Sequence, residues 1–209
     1  MSMSEDGLEV ARLEDMQSAG FPMGAEPLVA LDLVDTIVTV ADPPVDLIAD
    51  PTEASKWWRL QAGRLPDGPQ PDLAATRRLR SAIRDLFDAY LENREPRKTS
   101  IEDVNAAAAA APVSLRLAGD MKTPHAQTRW HTELGGNAAL AAIATEAVTL
   151  LTQPDQRNML RRCANPNCSM LFLAQTRRRQ WCTQNICGNR TRVARHYQRT
   201  HTPDGSTPP

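Results

Sequence analysis

Four cysteines near the end of the chain are the residues whose type and spacing point most directly to a chemistry. Cys163 and Cys168 form one C-x4-C pair, Cys182 and Cys187 form another, and thirteen residues lie between the pairs. Two close pairs on a short connector can bring four thiolates to one tetrahedral Zn²⁺, because each pair forms a turn whose sulfurs converge on the metal. The sequence therefore predicts structural zinc as the cofactor, bound by all four cysteines.

Disulfide bonds are the alternative use of four cysteines. The N-terminal segment MSMSEDGLEV is acidic, and no run of apolar residues is long enough to span a membrane, so no secretion signal is indicated. We expect a cytoplasmic protein without a membrane partner. Disulfides are rare in the reducing cytoplasm, so this location favours zinc over disulfides as the use of the four cysteines. A redox switch, in which oxidation expels zinc, is a further alternative.

The charges are divided unevenly along the chain, although the formal net charge is only −1. Residues 1–155 carry 14 Lys and Arg against 24 Asp and Glu, whereas residues 156–203 carry ten Arg and no acid. Such asymmetry indicates a basic module that meets a polyanion, attached to an acidic body that does not.

Hydrophobic periodicity predicts a mostly α-helical fold with a small β-hairpin. The clearest helix starts at Asp72, a candidate N-cap, and carries an apolar stripe from Leu79 to Leu91. Ser100 is the predicted cap of the next helix, which Pro112 ends. Further helices are predicted over residues 51–60, about 133–151 and, from an ambiguous pattern, 28–40, and a hairpin is predicted to pair residues 113–117 with 127–132.

The cysteine-rich segment is predicted to fold as a knuckle, a hairpin, a second knuckle and a helix. Turn-forming residues separate the first two cysteines, and residues 170–173 follow as a short buried strand. Residues 175–181 are expected at an exposed hairpin tip that returns to Cys182, and a basic helix is expected after Cys187. So few apolar residues fold only around a metal.

These residues resemble a known family. CANPNC at 163–168, the following LF, then WC and CGNR at 187–190 look like the CGNR zinc finger at the C-terminus of proposed bacterial stress-response transcription regulators. LVALDLVDTI at 28–37 is similar to the LxLDFxNT signature of their N-terminal ABATE domain, and residues 79–91 and 101–108 are similar to its paired helices. The resemblance covers most of residues 27–200.

Two positions depart from the family pattern. Ala174 stands near the place where the family usually has an Asp in a slightly longer hairpin, and Asp35 stands where its N-terminal motif normally has Asn. The first leaves the cysteines intact. The second weakens any role carried over to position 35.

The resemblance implies a DNA-binding regulator with double-stranded DNA as its partner. Arginine can neutralise phosphates and fork two hydrogen bonds onto a guanine edge, so an acid-free, arginine-rich module agrees with this. Structured RNA fits the same chemistry, and an adaptor whose finger binds an acidic protein surface is the alternative from another class. Bracing the finger is an equal alternative for Asn189 and Arg190. The predicted DNA contacts are Arg177, Arg178, Arg179, Asn189, Arg190, Arg192, Arg195 and Arg199.

The acidic N-terminal region shows little that indicates catalysis. His125 and His131 lack a neighbouring cysteine or Ser-centred motif, no glycine-rich phosphate loop occurs, and four cysteines leave zinc no open position for water. We expect a non-enzymatic sensing or dimerising domain, with a small-molecule effector or a homodimer as partner. The predicted organisation is a flexible lead over 1–26, a helical domain over 27–155, the finger over 156–201 and a disordered tail over 202–209.

Overall fold

The computed structural model describes residues 13–21, 26–133 and 135–189, and their main elements are α-helices. One turn of 3-10 helix, Ala62–Arg64, follows α3, and one π-helical turn, Gln184–Gly188, lies near the last described residue. The α-helices are α1 Leu13–Ser18, α2 Val29–Val34, α3 Pro51–Gln61, α4 Leu73–Glu92, α5 Lys98–Ala110, α6 Ala138–Thr152 and α7 Pro154–Arg157.

Three antiparallel strand pairs complete the described fold, and each forms its own two-stranded sheet. The mostly helical prediction with a small hairpin is confirmed. The pairs are β1 Ile37–Val38 with β2 Val45–Asp46, β3 Val113–Ala118 with β4 His125–Trp130, and β5 Leu160–Arg162 with β6 Leu171–Leu173.

Helix α4 is the central helix and forms as predicted. The carboxylate of Asp72 accepts a hydrogen bond from the backbone N–H of Ala75 at 2.9 Å, which satisfies one of the free donors at the helix start. Asn93 ends the helix in the left-handed conformation, with φ of 52°. Leu79, Ile83 and Phe87 are buried and face the core that α4 shares with α2, α5 and α6.

Residues 28–40 are not a single helix, which corrects the prediction. All six residues of α2 are buried, but the helix ends at Val34 and β1 follows. Thr36 makes the change of direction: its hydroxyl donates to the carbonyl of Leu33 at 2.7 Å, and its own carbonyl accepts from the N–H of Leu47 at 2.8 Å. The helical and strand-like features of this stretch therefore belong to consecutive elements.

Two predicted helix starts also differ from the structure. Helix α5 begins at Lys98, so Ser100 is a buried residue of its first turn instead of its cap. Helix α6 begins at Ala138, with Asn137 as its cap, and not near residue 133. Gly136 explains the delay, because a Cβ there would lie 1.7 Å from the carbonyl oxygen of Ala110. The chain must pass the end of α5 before α6 can start.

The C-terminal strands lie in the same core as the helices. Leu160, Leu171 and Leu173 are buried together with Phe87 and Ile143. Strand β6 pairs with β5, which precedes the first cysteine pair, and not with the segment that returns to Trp181 as predicted. In the described part of the chain, no helix has both the length and the apolar composition needed to cross a membrane.

Candidate metal centre

The four cysteine sulfurs form one compact cluster. Cys163 directly follows β5, Cys168 ends the turn before β6, Cys182 precedes the π-helical turn and Cys187 lies within it. The sulfurs of Cys168 and Cys182 are 3.7 Å apart, those of Cys182 and Cys187 are 3.6 Å apart, and all four lie within 4.8 Å of one another. The spacing of the sequence pairs thus brings all four thiols to a single point.

These sulfur separations fit a tetrahedral metal site. A Zn–S bond of about 2.3 Å places the sulfurs of a tetrahedron about 3.8 Å apart, whereas a disulfide requires about 2.05 Å. The measured 3.6 and 3.7 Å agree with the metal geometry. Among the His, Cys, Asp and Glu side chains of the described residues, these four cysteines form the group that is close enough together to hold a metal ion.

Short turns aim each pair of sulfurs inward. In the first turn the carbonyl of Asn165 accepts from the N–H of Cys168, and its side chain accepts from the N–H of Asn167, both at 3.0 Å. The N–H of Cys163 donates to the carbonyl of Met170 at 2.9 Å and closes this turn. In the second turn, the N–H of Gly188 donates to the carbonyl of Thr183 at 3.1 Å.

The crowded sulfurs shift one another's pKa values in opposite directions. Hydrogen bonds from the thiols of Cys168 and Cys182 lower the pKa of Cys163 to about 2, because they stabilise its thiolate. The same hydrogen bond to Cys163 raises the pKa of Cys168 to about 12, and the pKa of Cys182 is raised for the same reason. A second thiolate beside the first is unfavourable without a cation, so the donor set suits a divalent metal ion.

The predicted DNA-contacting arginines differ in their surroundings. Arg177 and Arg178 lie in an exposed tip after β6, and no described acid forms an ion pair with either of them. Arg179 next to them is half-buried: its guanidinium donates to the carbonyls of Leu173 at 2.9 Å and Cys182 at 2.6 Å. Asn189 is exposed. The remaining four, Arg190, Arg192, Arg195 and Arg199, and the predicted helix after Cys187 lie outside the described residues.

Two family models match the chain. The ABATE model, described as "Putative stress-induced transcription regulator", matches residues 28–154, which is more than half of the sequence. The chain belongs to the ABATE family. A second model, the CGNR zinc finger, matches residues 159–200, which include all four cysteines. The resemblance derived from the sequence is thus confirmed, and neither model describes an enzyme. No curated protein matches the chain.

Buried acids outside the cysteine-rich segment hold the CGNR finger onto the ABATE domain. Both carboxylate oxygens of Asp35, at the end of α2, accept from the N–H of Leu171, at 3.0 and 3.1 Å. Glu26 accepts from the N–H of Leu173 at 3.2 Å and from the guanidinium of Arg179 at 2.8 Å. The carboxylates thereby pair the edge of β6 that β5 leaves open. We call this contact, formed by Glu26, Asp35, Leu171, Leu173 and Arg179, the finger base.

Helix α4 supports the finger base from a second side. The guanidinium of Arg84 donates to the carbonyl of Ser169 at 2.9 Å and lies 3.8 Å from Asp35. The N–H of Thr39 donates to the hydroxyl of Ser169 at 3.1 Å. Burial raises the pKa of Asp35 well above its ordinary range, although the Leu171 N–H and Arg84 act to lower it. These contacts could not be predicted from the sequence, since their partners lie far apart along the chain.

A serine, a histidine and an acid also meet at the base of the β3–β4 hairpin. The hydroxyl of Ser114 lies 2.7 Å from Nε2 of His131, whose Nδ1 is 3.6 Å from the carboxylate of Glu133. Catalysis by such a group needs a cleft and donors for an oxyanion. The side chains of His131 and Glu133 are 36% and 57% exposed, and the hairpin is a surface element. We interpret the contact as a clasp that closes the hairpin.

Proposed function

We propose that the protein is a DNA-binding transcription regulator whose CGNR finger binds duplex DNA and is folded around a structural Zn²⁺. One observation carries this proposal: the four-cysteine cluster supports an exposed tip in which Arg177 and Arg178 have no acidic partner among the described residues. Solvated protein surfaces normally mix charges of both signs. A single-sign surface on a metal-bound scaffold is suited to a phosphate backbone.

Cys163, Cys168, Cys182 and Cys187 would hold the zinc ion. Bound zinc supplies a cross-link between the two turns, which otherwise hold few apolar side chains. Those side chains are Met170, Phe172, Ala174, Trp181 and Ile186, and they pack directly on the cysteines. Because four thiolates fill a tetrahedral site, we assign the ion a structural role.

Arg177 and Arg178 are the described side chains best placed to contact DNA. Both are exposed and follow β6, whose three residues are fully buried and fix the start of the tip. Arg179 holds the tip in place, since its guanidinium joins Glu26 to the carbonyls on both sides of the loop. We propose DNA contacts for it and Asn189 as well, and for Arg190, Arg192, Arg195 and Arg199, on sequence grounds alone.

The decisive experiment selects ligands for zinc-loaded protein from a randomised duplex library. A variant with Arg177→Ala and Arg178→Ala serves as the test. A variant with Arg78→Ala and Arg129→Ala is the matched control, because it removes two exposed arginines from the ABATE domain. We expect one enriched motif. The tip variant should bind this motif with an affinity about tenfold or more lower than that of the wild type, and the control should bind it with unchanged affinity. The slope of log K against log salt should fall by about two for the tip variant.

Other outcomes identify other functions. Enrichment of no motif, with binding that salt abolishes equally for every duplex, would contradict sequence-specific regulation and favour an acidic protein partner. Tighter binding to structured RNA than to any duplex would favour an RNA ligand. A palindromic motif would indicate that the protein binds as a homodimer, because operator symmetry mirrors protein symmetry.

A further inference from the structure

A small cavity on the ABATE domain is lined by four arginines. It has a volume of about 230 Å³ and lies between β1, helix α4 and the segment that leads into α5. Arg80 and Arg84 form its floor and are almost fully buried, while the side chains of Arg94 and Arg97 are 39% and 64% exposed. Four guanidinium groups facing one cavity are unusual in a region whose residues 1–155 carry ten more acids than bases.

The acids around the cavity are each shared between two arginines. Asp85 accepts from Arg94 at 3.1 Å and contacts Arg97 at 3.3 Å. Asp88 accepts from Arg84 and Arg162, both at 2.9 Å. Asp46 likewise pairs with Arg80 at 2.7 Å and Arg77 at 3.0 Å. No guanidinium in these groups therefore has a carboxylate to itself.

The arginines also outnumber the acids with which they form ion pairs. Glu92 pairs with Arg94 and Arg162, and Asp35 lies 3.8 Å from Arg84, so five acids meet six arginines. Nη1 of Arg84 makes no hydrogen bond within the described residues, although it is buried. A buried guanidinium N–H without a hydrogen-bond acceptor lowers stability, because it has lost its hydrogen bond to water and has gained none from the protein. The lining of the cavity thus retains positive charge, and one buried guanidinium donor of Arg84 has no hydrogen bond.

We propose that this cavity binds a small metabolite bearing an oxyanion group, a phosphate or a carboxylate. Guanidinium groups match both anions with paired hydrogen bonds, and lysine is absent from the lining. Drug-sized ligands occupy roughly 300–1,000 Å³, so a cavity of about 230 Å³ suits a smaller molecule. Ser81 and Thr39 add polar groups at the wall, and Ile37 adds an apolar one.

The cavity shares two of its residues with the support of the first cysteine pair. Arg84 and Thr39 both line the cavity, and both hydrogen-bond to Ser169, which directly follows Cys168. An anion that attracts the Arg84 guanidinium competes with the carbonyl of Ser169 for its N–H groups. Ligand binding therefore alters the contacts that position Cys168, and this regulatory step rests on the zinc-binding function proposed above.

Calorimetric titration of the full-length, zinc-loaded protein tests the site. The probes are inorganic phosphate, glycerol phosphate and succinate, each compared with sodium chloride at equal ionic strength, because surface charges bind anions weakly and salt screens them. The tip variant with Arg177→Ala and Arg178→Ala removes background binding by the finger. The test variant carries Arg94→Ala and Arg97→Ala, and the control is Arg78→Ala, an exposed, acid-paired arginine on helix α4.

We expect saturable binding of phosphate compounds or of succinate, and the preferred probe identifies the anion. The test variant should bind about tenfold or more weakly, because each charge-assisted hydrogen bond contributes more than a factor of ten in affinity. Arg97→Lys should give an intermediate loss, since it keeps the charge and removes the fork. A circular dichroism melt shows that each variant is folded.

Two results would overturn the proposal: no probe binds better than chloride, or Arg78→Ala weakens binding as much as the test variant. Neither result depends on DNA binding, so failure here is distinct from failure of the proposed function. The regulatory step has its own measurement, the rate at which a chelator removes zinc. If saturating anion changes this rate in the wild type but not in the test variant, the regulatory step is supported. If the rate is unchanged in the wild type, the regulatory step is contradicted, but the proposed binding site is not.

Discussion

The finger base and the exposed tip lie only a few residues apart, yet they use charge in opposite ways. At the base, the carboxylates of Asp35 and Glu26 accept hydrogen bonds from the N–H groups of Leu171 and Leu173. At the tip, Arg177 and Arg178 are exposed and have no acidic partner among the described residues. The boundary between the two regions is Arg179, which reaches back to Glu26.

This difference shows that the acidic and basic parts of the chain are not simply separate modules. Part of the acidic charge is buried and fixes the position of the finger, and two finger arginines, Arg162 and Arg179, pair with acids outside the finger. Net charge by segment therefore identifies the binding surface only after internally paired charges are removed from it. In the basic segment, the described arginines without an acidic partner are Arg157, Arg161, Arg177 and Arg178, and four more arginines follow Asn189 in the sequence.

Removal of the metal gives the largest expected effect and should separate the two regions. We expect Cys182→Ala, or a strong chelator, to abolish zinc binding and unfold the tip, because structural zinc supplies most of the folding free energy of such fingers. The finger base should survive, since Leu160, Leu171 and Leu173 belong to the main core. Hydrogen exchange with and without metal measures both.

Specific amides report the two outcomes. The N–H of Ala164, bonded to Gln180, and that of Gly188, bonded to Thr183, should exchange quickly once zinc is lost. The N–H groups of Leu171 and Leu173 should stay protected. Loss of protection at all four would show that base and tip unfold together, and the distinction between them would not hold.

Replacement of Asp35 tests the finger base directly. Asp35→Ala leaves the N–H of Leu171 without its acceptor and removes the carboxylate that lies 3.8 Å from the Arg84 guanidinium, which should cost about 3 kcal/mol of unfolding free energy. Asp35→Asn keeps one acceptor oxygen of similar shape and should cost less than half as much. Urea denaturation of both variants measures this, and equal losses would indicate that the charge of Asp35, and not its hydrogen bonds, stabilises the base.

The ionisation of Asp32 gives a smaller effect that depends on pH. Burial raises the pKa of Asp32 from 3.8 to about 6, although Arg64 lowers it through an ion pair of 2.5 Å. Between these values the folded protein binds more protons than the unfolded chain, so the unfolding free energy falls as pH rises. The total fall due to this group should be about 3 kcal/mol.

Asp32→Asn removes this titration and provides the comparison. The variant loses the ion pair with Arg64 at every pH, but it also lacks the fall in unfolding free energy that Asp32 contributes, so its slope against pH between pH 4 and 6 should be more positive than that of the wild type. Zinc release in acid affects both proteins and cancels in the difference between their slopes. A more negative slope in the variant than in the wild type would mean that the folded pKa of Asp32 lies below 3.8.

The sequence predicted the parts of this molecule that depend on local pattern. The cysteine spacing, the cap and stripe of α4 and the β3–β4 hairpin follow from residues close together in the chain, and the structure has the predicted helix, hairpin and thiol cluster. Failures occur where a distant partner decides the outcome. Strand β6 pairs with β5 because Leu160 and Leu173 share a core with the helices, and Ser100 is drawn into α5 by its hydrogen bond to Asp85.

The candidate site shows the same division. The cysteine spacing alone was enough to predict that the four sulfurs lie together. The sequence could not show that Arg179 differs from its two neighbours, since its partner Glu26 lies 153 residues away. Asp35 likewise could not be assigned a role, because its partner, Leu171, lies 136 residues along the chain. Hydrophobic pattern reports burial, and it does not report which buried polar groups meet.

The three neighbouring arginines of the tip provide the finest test of the comparison. Arg179→Ala should lower the unfolding free energy by about 1–2 kcal/mol, because it leaves Glu26 without its cation and removes the contact of 4.5 Å over the ring of Phe172. Arg177→Ala and Arg178→Ala should each change it by less than about 0.5 kcal/mol, as exposed substitutions usually do. If Arg179 acts through the fold, DNA affinity should fall more for Arg177→Ala and Arg178→Ala than for Arg179→Ala. Arg179→Lys keeps the ion pair with Glu26 and should then restore affinity together with stability. If the lysine variant is fully stable but still binds DNA as poorly as Arg179→Ala, Arg179 is itself a DNA contact. Arg179 would then belong to the tip and not to the boundary with the finger base.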